Sequence, residues 1–136
     1  MTRLFLDANV LFTAAHNPKG KAAFIISPGA RGAWALCTSA LAVEEARRNL
    51  QVKYPSVEQN LSGLLSHVTI IPEAAGAFPY PKDLDDKDHP IFQAAYACRA
   101  THLITGDLAH FGSLMEKPRK TFGIVIMTAA RFLDSL

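Results

Sequence analysis

Short, largely apolar runs alternate with helical patterns along the whole chain. Each run has four or five residues and is followed by a polar residue, glycine or proline, which predicts a buried strand. Alternating strands and helices are typical of a parallel sheet with helices on both faces. The pattern therefore predicts an α/β fold with three layers, α/β/α. The predicted strands are Arg3–Leu6, Trp34–Cys37, Val68–Ile71, His102–Thr105 and Gly123–Met127.

Apolar residues at helical spacing predict helices in most of the connections. The longest begins at Ser39, a residue type that caps helix N-termini, and runs to about Val52. Its buried face is predicted to carry Val43, Ala46 and Leu50. The other predicted helices are Val10–Ala15, Ala22–Ile26, Val57–Leu65, His89–Ala100 and one that starts at Thr128.

Length and composition fit one domain over residues 1–136. The chain is 49% hydrophobic and 19% charged, which is typical of globular proteins. Residues 72–87 hold proline, glycine and small residues without a period, and predict a loop rather than a domain boundary. No apolar run approaches the roughly 20 residues of a membrane helix. Because Asp7 interrupts the apolar start, no signal peptide is expected either.

The two cysteines, Cys37 and Cys98, lie in apolar contexts. They form no Cys-x-x-Cys motif and have no histidine at metal-binding spacing. We therefore expect buried free thiols in a cytoplasmic protein, since the cytosol keeps thiols reduced.

The net charge of +2 does not by itself indicate a nucleic-acid partner. Its distribution permits one, since two basic clusters can meet phosphates. Solvated surface residues explain the same clusters equally well. The two basic clusters are Arg47, Arg48 and Lys53 in one helix and Lys117, Arg119 and Lys120 in one loop.

Several acids follow predicted strands directly. Asp7 follows the first strand, and Asp107 lies just after His102–Thr105. Glu44 and Glu45 fall in the early turns of the helix after the second strand. Because parallel strands end at the same edge of a sheet, we expect these carboxylates along one edge.

The position of the strand ends does not place Asp88 at that edge. It precedes the helix that feeds the fourth strand, and under a simple alternation we expect the N-terminus of this helix at the opposite edge. Asp88 can equally be a helix N-cap before Pro90.

The other acids have ordinary structural explanations too, but Asp7 fits them least. Glu44 or Glu45 can be a solvent-facing helix residue, and Asp107 a turn residue. Asp7 interrupts an apolar run, and a buried carboxylate requires a metal, a cation or several hydrogen-bond donors. A cluster of acids with a divalent cation favours Mg²⁺ or Mn²⁺ and phosphodiester hydrolysis.

Three motifs, in order, resemble the PIN domain family of metal-dependent ribonucleases. Leu6-Asp7-Ala8-Asn9-Val10-Leu11 is similar to the opening of that domain. The segment from Lys87-Asp88-His89-Pro90-Ile91 to Thr105-Gly106-Asp107 is similar to its second half. Ser39, Glu45 and Leu50 match the spacing of the helix that carries the remaining acid.

The resemblance implies a five-stranded parallel sheet of order 3-2-1-4-5, with an Mg²⁺ or Mn²⁺ site. It implies that Asp88 reaches the cluster, and it favours Glu45 over Glu44, between which helical periodicity does not decide. Asn9 and Thr105 are expected to orient carboxylates or water, with Asp85 and Asp86 as lesser outer candidates. The implied metal-binding and catalytic acids are Asp7, Glu45, Asp88 and Asp107.

His110 departs from family members that place another acid shortly after Asp107. This leaves the number of bound metals open. His110 can contact phosphate, as can Arg47 and Arg48, or it can be an ordinary surface histidine.

The resemblance also implies partners. Single-stranded RNA is the expected substrate. Many prokaryotic PIN domains are toxins that a small antitoxin protein inhibits, and they are usually homodimers. Nothing in the sequence itself indicates such a partner or an interface.

Two other functions fit part of the pattern. A haloacid-dehalogenase-type phosphohydrolase also places an Asp after its first strand, but it has a second acid two residues later, where this chain has Asn9. A receiver-type module needs an acid after the third strand, where Pro72 stands. The non-enzymatic alternative is a catalytically inactive PIN-like RNA-binding domain, against which the presence of all four acids argues.

Overall fold

The computed structural model describes residues 1–30, 32–73 and 77–136. Its sheet has five parallel strands in the order β3-β2-β1-β4-β5, as the family resemblance implied. In the middle of the sheet, Phe5 pairs with Cys37 on one side and with Leu103 on the other. The strands are β1 (Arg3–Leu6), β2 (Ala35–Ser39), β3 (Thr69–Ile71), β4 (His102–Ile104) and β5 (Val125–Met127).

In the described part of the chain, seven α-helices connect and cover these strands. Within the described residues, no helix is long and apolar enough to cross a membrane. Short 3-10 helices occupy Pro55–Val57, Asp86–Asp88, Gly112–Leu114 and Pro118–Lys120. The α-helices are α1 (Ala8–His16), α2 (Lys21–Ala30), α3 (Ala40–Lys53), α4 (Gln59–Leu65), α5 (His89–Ala97), α6 (Leu108–Phe111) and α7 (Ala129–Asp134).

The central strand is buried on both faces. Leu4, Phe5 and Leu6 are all fully buried, which explains why β1 reads as a continuous apolar run rather than an alternating one. The edge strand β3 is far more open, and Ile70 is 44% exposed there.

Helices lie on both faces, as the alternation predicts. Helices α1 to α4 pack against one another, α7 packs against α2, and α5 packs against β2 and β4. The chain moves outward from β1 to β3 and then returns across β1 to β4. Right-handed crossovers in opposite directions place their helices on opposite faces, so α5 covers the face that α1 to α4 leave open.

Several helices differ from their predicted bounds, and the short helix α6 was not predicted. The differences in α3 and α5 have a clear physical reason. The buried stripe of α3 is Ala42, Ala46 and Leu50, while Val43 is half-buried at the margin of the core. Helix α5 ends at Ala97 instead of Ala100. There Arg99 adopts a left-handed conformation with φ of 59°, which turns the chain into β4.

The expected orientation of α5 was wrong. Its first residues lie beside the acids, whereas Cys98 at its other end accepts a hydrogen bond from the Arg3 guanidinium at the start of β1, at 2.8 Å. The physical reason is that a chain leaving one parallel strand must return to the opposite edge before the next begins. The connecting helix therefore starts at the edge where the strands end.

Both cysteines are free thiols, as expected. Cys37 is buried, but the prediction was wrong for Cys98, which is only half-buried. Cys98 caps the C-terminal end of α5, where the helix no longer covers it completely.

Candidate metal centre

A small cavity of about 140 Å³ lies at the edge where β1 and β4 end. All four acids singled out by the sequence line it. Each comes from a different part of the fold: the end of β1, helix α3, the start of α5 and the turn after β4. The lining residues are Asp7, Asn9, Leu41, Glu45, Lys87, Asp88, Ile91, Asp107 and His110.

Asp7 is the deepest of these acids, with 6% of its surface exposed. It caps α1, and its Oδ1 accepts a hydrogen bond from the Ala8 backbone N–H at 2.7 Å. Its Oδ2 accepts from Asn9 Nδ2 at 3.0 Å and from Thr105 Oγ1 at 2.8 Å. These donors explain how the carboxylate can stay buried without an arginine or lysine. Oδ2 then has both lone pairs occupied, and Oδ1 keeps one free.

Asn9 joins the ends of the two central strands. Its Nδ2 donates to Asp7 and to Thr105 Oγ1 at 3.1 Å, and its Oδ1 accepts from the Gly106 N–H at 2.6 Å. A Cβ at position 106 would lie only 3.3 Å from Asn9 Oδ1, so glycine permits this close approach. Thr105 Oγ1 also accepts from the Asp107 N–H at 3.1 Å, which extends the network to the next acid.

Asp107 caps the short helix α6 through a hydrogen bond from the His110 N–H to its Oδ1 at 3.1 Å. Its Oδ2 lies 2.9 Å from Nδ1 of the His110 ring. The same nitrogen lies 3.0 Å from Asp88 Oδ2. His110 thus bridges two of the acids, and its side chain is 27% exposed. The structure thus places His110 among the acids, while its contact with phosphate stays a prediction.

Asp88 occupies the N-cap position of α5, but its side chain makes no capping hydrogen bond. The carboxylate turns into the cavity instead and is 13% exposed. The 3-10 turn that ends at Asp88 is capped by Asp85, whose Oδ1 accepts a hydrogen bond from the Lys87 N–H at 3.1 Å. Of the two sequence interpretations of Asp88, the geometry therefore excludes the side-chain cap.

The two neighbouring glutamates of α3 point in different directions. Glu45 lines the cavity. Glu44 pairs with Arg48 on the same helix at 2.8 Å, and both side chains are more than half exposed. The structure thus places Glu45 beside the other acids and Glu44 on the surface.

The pKa values of three of the acids are raised. Burial is the largest cause for Asp7, Glu45 and Asp88, and repulsion between the carboxylates adds to it. For Asp88, the neighbouring His110 opposes the rise, and so, more weakly, does Lys87. The cavity therefore concentrates more negative charge than its own cations neutralise.

The donor set fits a divalent cation. Asp88, Asp107 and His110 each offer one ligand atom, and these atoms lie within 4.8 Å of one another. Adjacent ligands of an octahedral ion at about 2.1 Å stand about 3 Å apart, close to the two separations at His110 Nδ1. Although Asp88 Oδ2 and His110 Nδ1 lie 3.0 Å apart, their orientation makes no hydrogen bond between them, and both atoms are buried without a hydrogen-bond partner among the described residues. Buried polar atoms of this kind call for a ligand.

Not every predicted residue lies in the cavity. Arg47 forms an ion pair with Glu58 at 3.2 Å and is absent from the cavity lining. Arg48 lies close enough to lower the pKa of Glu45, although its head group is paired with Glu44. Asp86 is fully exposed, and of the two outer candidates only Asp85 supports the site, through the turn that carries Asp88.

The sequence interpretation missed three lining residues. Lys87 brings a positive charge to the cavity, and Leu41 and Ile91 form apolar parts of its wall. The signal for Lys87 was its place directly before Asp88 in the motif. The sequence gives no such signal for Leu41 and Ile91, because they look like ordinary core positions of their helices.

Comparison with known proteins gives a family and a fold. A profile described as PIN domain matches residues 3–109, a range that includes all four acids. The chain is similar to one in the crystal structure of VapBC2 from Rickettsia felis bound to a DNA fragment from their promoter. The TM-score is 0.63 at 15% identity, covering 92% of this chain and 97% of that one. No curated protein matches the chain.

Proposed function

Because the chain belongs to the PIN domain family, whose members are generally nucleases, we propose that it is a metal-dependent endoribonuclease that hydrolyses phosphodiester bonds of single-stranded RNA. The observation that carries this proposal is the convergence of four carboxylates and one imidazole on a single cavity. Burial raises the pKa values of Asp7, Glu45 and Asp88, and repulsion between carboxylates adds to the rise, so the cluster is costly for stability unless a cation or a reaction uses it.

In this proposal Asp88, Asp107 and His110 hold Mg²⁺ or Mn²⁺, and Asp7 adds its free Oδ1 lone pair. When bound, such an ion activates water and neutralises charge that develops on the phosphate. Asn9 and Thr105 keep the Asp7 carboxylate in one orientation through their hydrogen bonds to its Oδ2. Glu45 is the most exposed of the four acids and can accept a hydrogen bond from the attacking water and orient it.

The size of the cavity bears on how RNA would bind. A volume of about 140 Å³ is well below the roughly 300 Å³ at which pockets begin to enclose a drug-sized ligand. A phosphate group fits, whereas the base and sugar must lie outside on the rim. Lys87 lies in the cavity and Arg48 beside it, and we assign them to the phosphates that flank the cleavage point.

The likeness to a chain of a VapBC2 complex supports a further part of the proposal. We infer that this protein is a cytoplasmic toxin, active as a homodimer and held inactive by a small antitoxin protein. Sedimentation of the purified chain tests the dimer, and a monomer at micromolar concentration would contradict it. Co-purification with the product of a small reading frame beside the gene tests the antitoxin.

The central experiment compares wild type with Asp7→Asn and Asp107→Asn on structured and unstructured RNAs, with Mg²⁺ or Mn²⁺. We expect both variants to lose at least about 100-fold in cleavage rate while they stay folded, because each removes a charge at the cavity. Asp86→Asn is the matched control, since Asp86 is fully exposed and lies outside the cavity.

Other outcomes separate the alternatives. Cleavage that survives EDTA, or that survives loss of Asp7, would refute the metal mechanism. Wild type that binds RNA without cleaving it under any metal would favour an inactive RNA-binding domain. A covalent aspartyl-phosphate on Asp7 would favour the phosphohydrolase instead.

A further inference from the structure

The two cysteines meet at the edge of the sheet opposite the acids. Cys37 lies in β2 and Cys98 at the end of α5, 61 residues apart in the chain. Their Sγ atoms are 2.7 Å apart. Formation of a disulfide bond, with a length of about 2.05 Å, needs an approach of only about 0.65 Å. The fold thus holds two thiols in position for a reaction with each other.

Solvent reaches this pair through a second cavity of about 410 Å³. The starts of β1, β2 and β3 and the end of α5 line it, and both cysteines belong to its wall. Cys37 is 2% exposed and Cys98 is half-buried, so Cys98 is the thiol that a reagent meets first. Arg3 and Arg99 also line this cavity, and their positive charges favour anionic reagents.

We propose that Cys37 and Cys98 form a redox-active dithiol in which Cys98 reacts first and Cys37 completes a disulfide between β2 and the end of α5. This site is independent of the metal centre and of the function proposed for it.

The electrostatics of the pair agree with these roles. The pKa of Cys98 is lowered, chiefly by its hydrogen-bond contact with the Cys37 sulfur, and Arg3 adds to the effect. The pKa of Cys37 is raised by the same contact and by its burial in the core. The thiolate is the reactive form of cysteine, so Cys98 is the nucleophile of the two.

The oxidant in this proposal is a low-molecular-weight disulfide, for which glutathione disulfide is the probe. The Cys98 thiolate attacks one of its sulfurs, a mixed disulfide forms, and one glutathione thiolate leaves. Cys37 then gives its proton to solvent and attacks Cys98 Sγ, which expels the second glutathione thiolate. Two protein thiols are oxidised and one glutathione disulfide is reduced to two glutathiones.

The test exposes the full chain to graded glutathione redox buffers and follows the intact mass. We expect the wild type to lose two hydrogens, and digestion to yield one peptide pair that links Cys37 to Cys98. The melting temperature should rise by roughly 5–15 °C on oxidation, since the bond closes a long loop. Wild type that keeps both thiols at every glutathione ratio would overturn the proposal.

Two matched variants test the order of reaction. Cys37→Ser should accumulate a glutathione adduct on Cys98, because no second thiol can expel it. Cys98→Ser should form its adduct on Cys37 at least about 10-fold more slowly. Equal rates in the two variants would overturn the assigned roles. If either variant fails to fold, limited iodoacetamide labelling of the wild type gives the same information, and Cys98 should be alkylated first.

Discussion

Asn9 shows how one short side chain can organise a charged site. It is neither charged nor close to full burial, yet its amide contacts Asp7, Thr105 and Gly106. The amide nitrogen donates a hydrogen bond to the Asp7 carboxylate, and the amide oxygen accepts one from the Gly106 backbone after β4. This explains why asparagine suits the position better than an aspartate, whose charge would add to the repulsion around Asp7.

Replacement of this amide should loosen the Asp7 carboxylate. We expect Asn9→Ala to lower the free energy of unfolding by about 1–3 kcal/mol, because Asp7 and Gly106 each lose a partner. Cleavage should fall by about 10–100-fold, as is typical when the support of a metal ligand is removed. Chemical denaturation and RNA cleavage measure both effects. Asn49→Ala, at an exposed position of α3, is the control, and equal behaviour of the two variants would contradict the role of Asn9.

If His110 binds the metal as proposed, it should determine which metal the site prefers. An imidazole nitrogen is a poorer ligand for Mg²⁺ than for Mn²⁺ and the later transition metals. We expect calorimetry to show Mn²⁺ bound at least about 10-fold more tightly than Mg²⁺. His110→Asp should narrow that difference, while His67→Asp, at an exposed position, should not.

Pulsed electron paramagnetic resonance gives a readout that does not depend on activity. With Mn²⁺ bound, a nitrogen coupling should appear in the wild type and vanish in His110→Asp. A wild-type spectrum without nitrogen coupling would show that His110 is not a ligand.

At the scale of elements, the turn that leads into α5 brings both a carboxylate and a cation to the cavity. The 3-10 turn Asp86–Asp88 presents Lys87 and Asp88 to the cavity, and Asp85 caps this turn from outside. The position of the Asp88 carboxylate therefore depends on the hydrogen bond from the Lys87 N–H to Asp85, the residue before the turn.

Asp85 and Asp86 form a matched pair for testing this dependence. Asp85→Ala removes the cap on Lys87 N–H and should cost about 0.5–1.5 kcal/mol in the free energy of unfolding. It should also reduce RNA cleavage several-fold, since Asp88 and Lys87 lose their fixed positions. Asp86→Ala removes a fully exposed side chain and should change neither quantity. A larger effect at Asp86 would show that charge, not the cap, matters in this turn.

At the scale of the whole molecule, two groups of side chains lie at opposite edges of the sheet. The acids gather where the parallel strands end, and the cysteines meet where they begin. Burial and repulsion raise the pKa values of Asp7, Glu45 and Asp88, so their ionised forms oppose folding, and a cation bound at the proposed site would offset this cost. Metal binding should therefore stabilise the entire fold.

Thermal unfolding tests this coupling. At an Mn²⁺ concentration of about 100 times its Kd, the free energy of unfolding should rise by about 2.7 kcal/mol. EDTA treatment should bring it back to the value of the metal-free protein. Asp88→Asn should lose this increase. Without metal, the same variant should be at least as stable as wild type. The pKa of Asp88 is raised in the folded state, so above that pKa its ionised form destabilises the fold, and asparagine removes this charge. A metal-free variant clearly less stable than wild type would contradict the account of repulsion.

Much of the architecture could be predicted from sequence, because it depends on local rules. Periods of apolar residues identified five strands and most helices, and the Ser39 N-cap was confirmed by its hydrogen bond from Ala42 N–H. Asp7 directly follows β1, and Asp107 lies three residues after the end of β4, so the parallel sheet alone brings them to one edge. Helix ends were less accurate, as at α5, where a left-handed Arg99 ends the helix early.

Tertiary structure decided which of the acids share one cavity. The direction of α5 brings Asp88 to the cavity, and the angle of Glu45 about α3 separates it from Glu44. The bridge from His110 to Asp88 and Asp107, and the contact between the two cysteines, join residues from separate elements. Sequence records which residues follow a strand or repeat along a helix. It does not record which side chains from distant elements share a space, because only the packing of helices on the sheet determines that.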